Sequence, residues 1–138
     1  MCWRRRTYIG EATYKRIFLV GALWNLLGGA FIVAATGWMF SSAGLAEPTP
    51  PLYYYAWIAL FMTFGFGYYL VSRDMYGNRN IVLLGAIGKI AFSAVFLYDF
   101  FAYPHQVPVF FLGPVAGDLV FAALFIMFLR FSAGKGGR

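Results

Sequence analysis

Two opposite charges, Lys89 and Asp118, lie in the middle of long apolar segments of this chain. A lone charged side chain at the centre of a bilayer costs at least ~2.5–3.5 kcal/mol by insertion scales. We therefore expect both side chains to face the protein interior and to share one pocket. A buried ammonium and carboxylate can bind a polar headgroup, relay a proton, or form a fixed salt bridge that holds helices together.

Three other polar residues lie at a similar depth in the apolar segments. Asn25, Thr63 and Lys89 are each eight residues from the predicted cytoplasmic end of their segment, which is ~12 Å at helical rise. Asp118 lies ~14 Å from the same edge of a ~30 Å hydrocarbon core, and Ser93 follows Lys89 by about one turn. We predict that these five residues form one polar cluster that binds a ligand or a partner.

Four apolar segments carry these residues, over about 17–40, 52–71, 81–102 and 107–129. Each reaches the ~20 residues that a membrane-spanning helix needs. The chain of 138 residues is 62% hydrophobic and only 12% charged, whereas soluble domains are about 25% charged. The predicted fold class is all-α, an integral membrane antiparallel four-helix bundle.

Lysine and arginine are distributed asymmetrically around the four segments. They occur before the first segment, between the second and third, and after the fourth, at Arg4, Arg5, Arg6, Lys15, Arg16, Arg73, Arg79, Arg130, Lys135 and Arg138. The first and third loops contain none. Basic loops stay on the cytoplasmic side, so both the N- and C-termini are predicted to be cytoplasmic.

The chain divides into three parts by composition. Residues 1–16 form a basic segment that is either an amphipathic helix on the cytoplasmic surface or a disordered arm. Residues 17–131 form the transmembrane domain, and the Gly-rich residues 132–138 form a flexible tail.

Small residues recur at helical spacing within each segment, which lets membrane helices approach closely. In the second segment this stripe is Ala56, Ala59, Thr63 and Gly67, and it is expected to face the interior. Pro114 lies four residues before Asp118 and is expected to kink the fourth segment.

Composition also bears on cofactors and partners. The single histidine, His105, and the single cysteine, Cys2, are too few to ligate zinc, haem or an iron–sulfur cluster. No cofactor or metal is therefore expected. The net charge of +6 lies beside the apolar segments, where it favours anionic lipid over nucleic acid.

A pattern of short motifs covers nearly the whole chain: Trp24-Asn25, Arg73-Asp74, Gly88-Lys89 and Gly117-Asp118-Leu119. It resembles the pattern of a family of small bacterial four-span membrane proteins. The resemblance implies a bacterial inner-membrane protein with the same polar cluster, and it supplies no activity, substrate or cofactor.

Three functions remain open at this level. The favoured one is a binding or accessory protein whose polar cluster holds a lipid-like ligand or a partner, in a homo-oligomer or a larger membrane complex. The second is a proton-coupled transporter of small molecules that works as a dimer. The third, less favoured, is a membrane-embedded enzyme that modifies lipids.

Overall fold

The computed structural model describes residues 10–134, which form four long α-helices. A short 3₁₀ helix, Val109–Phe111, leads directly into the last of them. Each helix is long and apolar enough to cross a membrane. The all-helical prediction is therefore confirmed. The helices are α1 (Glu11–Ser42), α2 (Pro51–Arg73), α3 (Arg79–Ala102) and α4 (Leu112–Phe131).

The helix bounds differ most from the predicted segments at the start of α1 and at the start of α4. Helix α1 begins at Glu11 and runs without a break into the apolar segment, so residues 11–16 are part of it. Residues 1–9 of the predicted amphipathic segment lie outside the described residues. Residues 132–134 form a turn after α4, and the remainder of the predicted tail, residues 135–138, also lies outside them.

Pro114 lies at the start of an α-helix rather than inside one, contrary to the expectation from sequence. Helix α4 begins at Leu112 rather than near Val107, so Pro114 is the third residue of its first turn. The first four N–H groups of a helix have no intrahelical partner, and a proline there removes no hydrogen bond.

Helix ends coincide with residues that suit them. Helix α1 is followed by Gly44, which has a positive φ of 68°, and the Leu45 amide donates to the Phe40 carbonyl at 2.9 Å. This is the left-handed backbone conformation that glycine favours after a helix. Helix α2 starts with Pro51 at its first position, where the fixed φ of proline suits a helix start.

The start of α1, the turn between α2 and α3, and the end of α4 contact one another. The Tyr76 hydroxyl donates to Glu11 Oε1 at 2.5 Å. The Arg79 guanidinium donates to the Leu129 carbonyl and to Ser132 Oγ, both at 2.9 Å. A cation at the last carbonyls of a helix satisfies orphan acceptors and complements the helix dipole. This basic end of the molecule thus joins three helices.

The helices pack as two pairs, α1 with α2 and α3 with α4, and the contacts between the pairs are sparser. Helices α1 and α2 approach closely at Gly29 and Gly65. A Cβ on Gly65 would lie 2.9 Å from the Asn25 Cβ and 3.2 Å from the Ala22 carbonyl oxygen, and a Cβ on Gly29 would overlap Met62. Glycine at these two positions therefore sets the distance between α1 and α2.

Two apolar clusters lie on either side of the polar layer. The larger one, toward the basic end, is rich in aromatic rings: its buried members are Tyr14, Phe18, Ala22, Tyr68, Val71, Met75, Val82, Ala86, Phe121, Phe125 and Phe128. The smaller one consists of Ile32, Met39, Ile58 and Phe111. The interior is thus filled by large phenylalanine side chains of α4 and not only by the small residues of the predicted stripes.

The inward face of α2 is not the predicted stripe. Its buried residues are Ile58, Gly65, Tyr68 and Val71, whereas Ala56, Ala59 and Thr63 are exposed. The lipid-facing and interior surfaces of a membrane helix are equally apolar. The choice between two candidate faces therefore depends on packing with α1, where Gly65 fits beside Asn25.

Candidate functional site

A direct ion pair lies at the centre of the helices. Lys89 Nζ of α3 is 2.5 Å from Asp118 Oδ1 of α4, and each side chain is only 4% exposed. The pair forms because each charge, in an apolar surrounding, finds its compensating partner on the neighbouring helix. Of the five predicted cluster residues, the structure brings Asn25, Lys89 and Asp118 into direct contact.

Helix α1 contributes two hydrogen bonds to the ion pair from adjacent residues. Asn25 Oδ1 accepts from Lys89 Nζ at 3.3 Å, and Asn25 Nδ2 donates to the Phe61 carbonyl of α2 at 2.9 Å. Trp24 Nε1 donates to Asp118 Oδ1 at 3.3 Å. All four helices are thereby joined through one polar network.

Three aromatic rings lie near the Lys89 ammonium. Nζ lies 5.4 Å from the ring centroid of Phe121, 5.5 Å from that of Tyr68 and 6.0 Å from that of Phe61. The faces of such rings attract a cation. They compensate part of the hydration that the ammonium has lost.

Two predicted cluster residues do not join this network. Thr63 is exposed, and its hydroxyl donates to the Ala59 carbonyl of its own helix at 2.8 Å. The structure therefore places Thr63 outside the cluster, because α2 turns a different face inward. Ser93 is buried, but its Oγ has no hydrogen-bond partner in the described residues.

Trp24 and Tyr68 belong to the site, although neither is among the five predicted cluster residues. The indole of Trp24 lies against Gly117, where an added Cβ would be 2.5 Å from the ring. The ring of Tyr68 lies against Gly85, where an added Cβ would be 2.6 Å from it. In both cases a glycine close to a charged residue leaves room for an aromatic ring. This spacing is the sequence signal for Tyr68, whereas Trp24 also belongs to the Trp24-Asn25 motif.

An open groove between α2 and α3 leads to the ion pair from the side of the molecule. Its volume is about 360 Å³. It exists because α2 and α3 belong to different pairs and touch little. We call it the α2/α3 groove; it is lined by Asn25, Trp57, Leu60, Phe61, Phe64, Tyr68, Gly85, Gly88, Lys89, Ala91, Phe92, Val95 and Asp118.

A second groove of about 720 Å³ lies between α1 and α4. Its wall is almost entirely apolar, and Trp24 separates it from the carboxylate of Asp118. We call it the α1/α4 groove; it is lined by Val20, Leu23, Trp24, Leu27, Gly28, Phe31, Ile32, Trp38, Met39, Phe61, Phe110, Phe111 and Pro114. Of these two grooves, only the α2/α3 groove has Lys89 and Asp118 in its lining.

Within residues 10–134, no three His, Cys, Asp or Glu side chains come together as they would around a metal ion. Comparisons of the chain with protein-family models, curated proteins and solved structures give no match. The class of protein is therefore defined by the fold and the site alone. It is a four-helix protein of membrane-spanning character with a buried lysine–aspartate pair at the base of a lateral groove.

Proposed function

We propose that this chain is a small integral membrane protein that binds a lipid-like amphiphile in the α2/α3 groove. The polar end of the ligand contacts the Lys89–Asp118 pair, and its apolar body lies along the groove. The resemblance to small bacterial four-span proteins supports a location in the bacterial inner membrane.

One observation carries the proposal: a buried charge pair forms the base of an otherwise apolar groove that opens sideways. Among residues 10–134, Lys89 and Asp118 are the only charged side chains that line it. A pocket with apolar walls and a few convergent polar groups is the usual form of a small-molecule site. A lateral opening suits a ligand that arrives from the bilayer rather than from water.

The proposed arrangement is an antiparallel bundle with both termini cytoplasmic. Contacts between α1 and α2 support it, because Asn25 meets Phe61 whereas Thr36, further along α1, approaches Tyr54, nearer the start of α2. The basic end carries Arg73 and Arg79 around the α2–α3 turn. The positive-inside rule then favours this end as the cytoplasmic one.

The experiment measures which lipids copurify with the full chain, by extraction and mass spectrometry. Gly88→Leu places a side chain in the α2/α3 groove, where a Cβ meets only Phe64, at 4.0 Å. The matched control is Gly28→Leu, which fills the α1/α4 groove instead.

We expect one lipid class to copurify with the wild type and the Gly28→Leu variant and to be lost from Gly88→Leu. Equal amounts of every lipid in all three proteins would overturn the proposal. The ion pair would then only hold the helices together.

A further inference from the structure

The hydrogen-bonding groups that face the α2/α3 groove point to the chemistry of the ligand's polar end. This inference rests on the proposed binding function and narrows it. We infer that the groove selects amphiphiles that end in an uncharged hydroxyl, such as long-chain, isoprenoid or ring alcohols. Lipids that end in a phosphate, a carboxylate or an ammonium are disfavoured.

The two charges at the base of the groove already compensate each other. Lys89 and Asp118 neutralise each other at 2.5 Å, and among the described residues no other charged side chain lines the groove. An anionic headgroup would have to take Lys89 from Asp118 and would lie beside the carboxylate. A cationic headgroup would have to displace Lys89 from Asp118. Either exchange leaves one buried charge without compensation, which is strongly unfavourable.

The base of the groove retains unused hydrogen-bonding capacity. Within residues 10–134, Asp118 Oδ1 accepts from both Lys89 and Trp24, whereas Oδ2 accepts no hydrogen bond. The Lys89 ammonium has three N–H groups and uses two acceptors, Asp118 and Asn25. One acceptor, Oδ2, and one donor, the third N–H, therefore remain.

The Tyr68 hydroxyl adds a further donor and acceptor. Tyr68 lines the groove and makes no side-chain hydrogen bond in the part of the chain that the structure describes. Ser93 Oγ is the only fully buried side-chain oxygen or nitrogen there without a partner. Tyr68 and Asp118 are only 1% and 3% exposed, and both line the groove, so their unpaired oxygens lie at its inner end.

A hydroxyl matches these groups because it donates one hydrogen bond and accepts others. Its O–H can donate to Asp118 Oδ2, and its oxygen can accept from Lys89 or Tyr68. A ketone or ester carbonyl accepts only and leaves the carboxylate oxygen unpaired, and an unpaired buried acceptor is costly.

The shape of the apolar part of the groove limits the size of the ligand. The α3 wall of the groove carries the small residues Gly85, Gly88 and Ala91. Beside it, the rings of Trp57 and Phe92 stack with their centroids 5.5 Å apart. The volume of about 360 Å³ is at the small end of the range for ligand pockets. One chain or one ring system fits better than a lipid with two acyl chains.

The test uses photoreactive probes that share one alkyl chain and differ only in the polar end: alcohol, phosphate monoester, carboxylate and amine. The full chain is reconstituted in phosphatidylcholine vesicles, the probes are cross-linked by light, and labelled peptides are identified by mass spectrometry. We expect the alcohol to label α2 between residues 57 and 68 and α3 between residues 85 and 95. Its labelling there should exceed that of each charged probe at least ~10-fold, the ratio that corresponds to ~1.4 kcal/mol.

Tyr68→Phe tests the polar contact without removing the ring that packs on Phe125. We expect it to lower labelling by the alcohol, whereas Tyr69→Phe, on the exposed neighbour, leaves labelling unchanged. Similar labelling by all four probes, or stronger labelling by a charged one, would overturn the hydroxyl preference while the binding function stands. If no probe labels this groove, or if Gly88→Leu leaves labelling intact, both the preference and the binding function fail.

Discussion

Trp24 of α1 and Lys89 of α3 donate to the same oxygen atom, Asp118 Oδ1. Trp24 can do so because Gly117, the neighbour of Asp118, leaves space for the indole. The carboxylate is thus fixed from α1 and from α3 at once. Its second oxygen, Oδ2, accepts no hydrogen bond from the described residues. Both features of the carboxylate affect stability and ligand binding.

The ion pair should show strong coupling between its partners. Lys89→Met leaves the Asp118 carboxylate buried without its cation and should lower the free energy of unfolding by about 3–5 kcal/mol. The double variant Lys89→Met, Asp118→Leu removes both charges and should be more stable than the single variant. Unfolding in mixed micelles, followed by circular dichroism, measures both. Coupling is absent if the double variant is no more stable than Lys89→Met alone.

The indole hydrogen bond should contribute separately. Trp24→Phe keeps a ring near Gly117 and removes the donor to Asp118, so we expect a loss of about 1–2 kcal/mol in the free energy of unfolding. Trp38→Phe is the matched control, because Trp38 is exposed and its ring only stacks on Phe110. Equal effects of the two substitutions would show that the hydrogen bond contributes nothing measurable.

The contact between α1 and α2 should be sensitive to one methyl group. Gly65→Ala places a Cβ 2.9 Å from Asn25 and 3.0 Å from Leu26, which forces the helices apart and costs about 1–3 kcal/mol of unfolding free energy. Gly113→Ala, in the first turn of α4, meets nothing within 4 Å and should change stability by less than about 1 kcal/mol. A Gly65→Ala protein as stable as the control would contradict the close approach.

The hydrogen bond from Tyr76 to Glu11 should be visible in a pH titration. This bond, together with partial burial and the charge of Glu11, raises the pKa of Tyr76 from 10.0 to about 12. A raised pKa means that the folded state favours the neutral phenol. The stabilising contribution is therefore complete below pH 10 and is lost as the pH rises through about 12.

Tyrosinate absorbance of the folded protein in micelles measures this pKa. One tyrosine that titrates near 12 should be missing from Tyr76→Phe and should titrate at lower pH in Glu11→Gln. An unchanged titration curve in both variants would show that the bond is not formed in solution.

The proposed topology can be tested with two matched cysteines in a Cys2→Ser background. Ala46 lies in the loop after α1 and Ala133 lies after α4, and both are exposed. A membrane-impermeant maleimide added to intact cells with a permeable outer membrane should label Ala46→Cys and leave Ala133→Cys unlabelled until lysis. The reverse pattern would invert the proposed orientation.

The sequence by itself determined the number of helices and which charged residues needed a partner. Both follow from local properties, since a run of about 20 apolar residues forms a helix wherever water is absent. A charge within such a run must be compensated. Lys89 and Asp118 could therefore be paired before any coordinates were known.

Only the tertiary structure decided which face of α2 turns inward. An apolar helix is nearly as hydrophobic toward lipid as toward its neighbours, so periodicity did not distinguish the Thr63 face of α2 from the Tyr68 face. The inward face of α2 is determined by close packing, of Gly65 beside Asn25 and of Tyr68 against Gly85. Side-chain packing likewise brings Trp24 into contact with Asp118 and leaves the α2/α3 groove open. Contacts between residues that are distant in sequence depend on side-chain volumes in three dimensions, which the sequence pattern does not give.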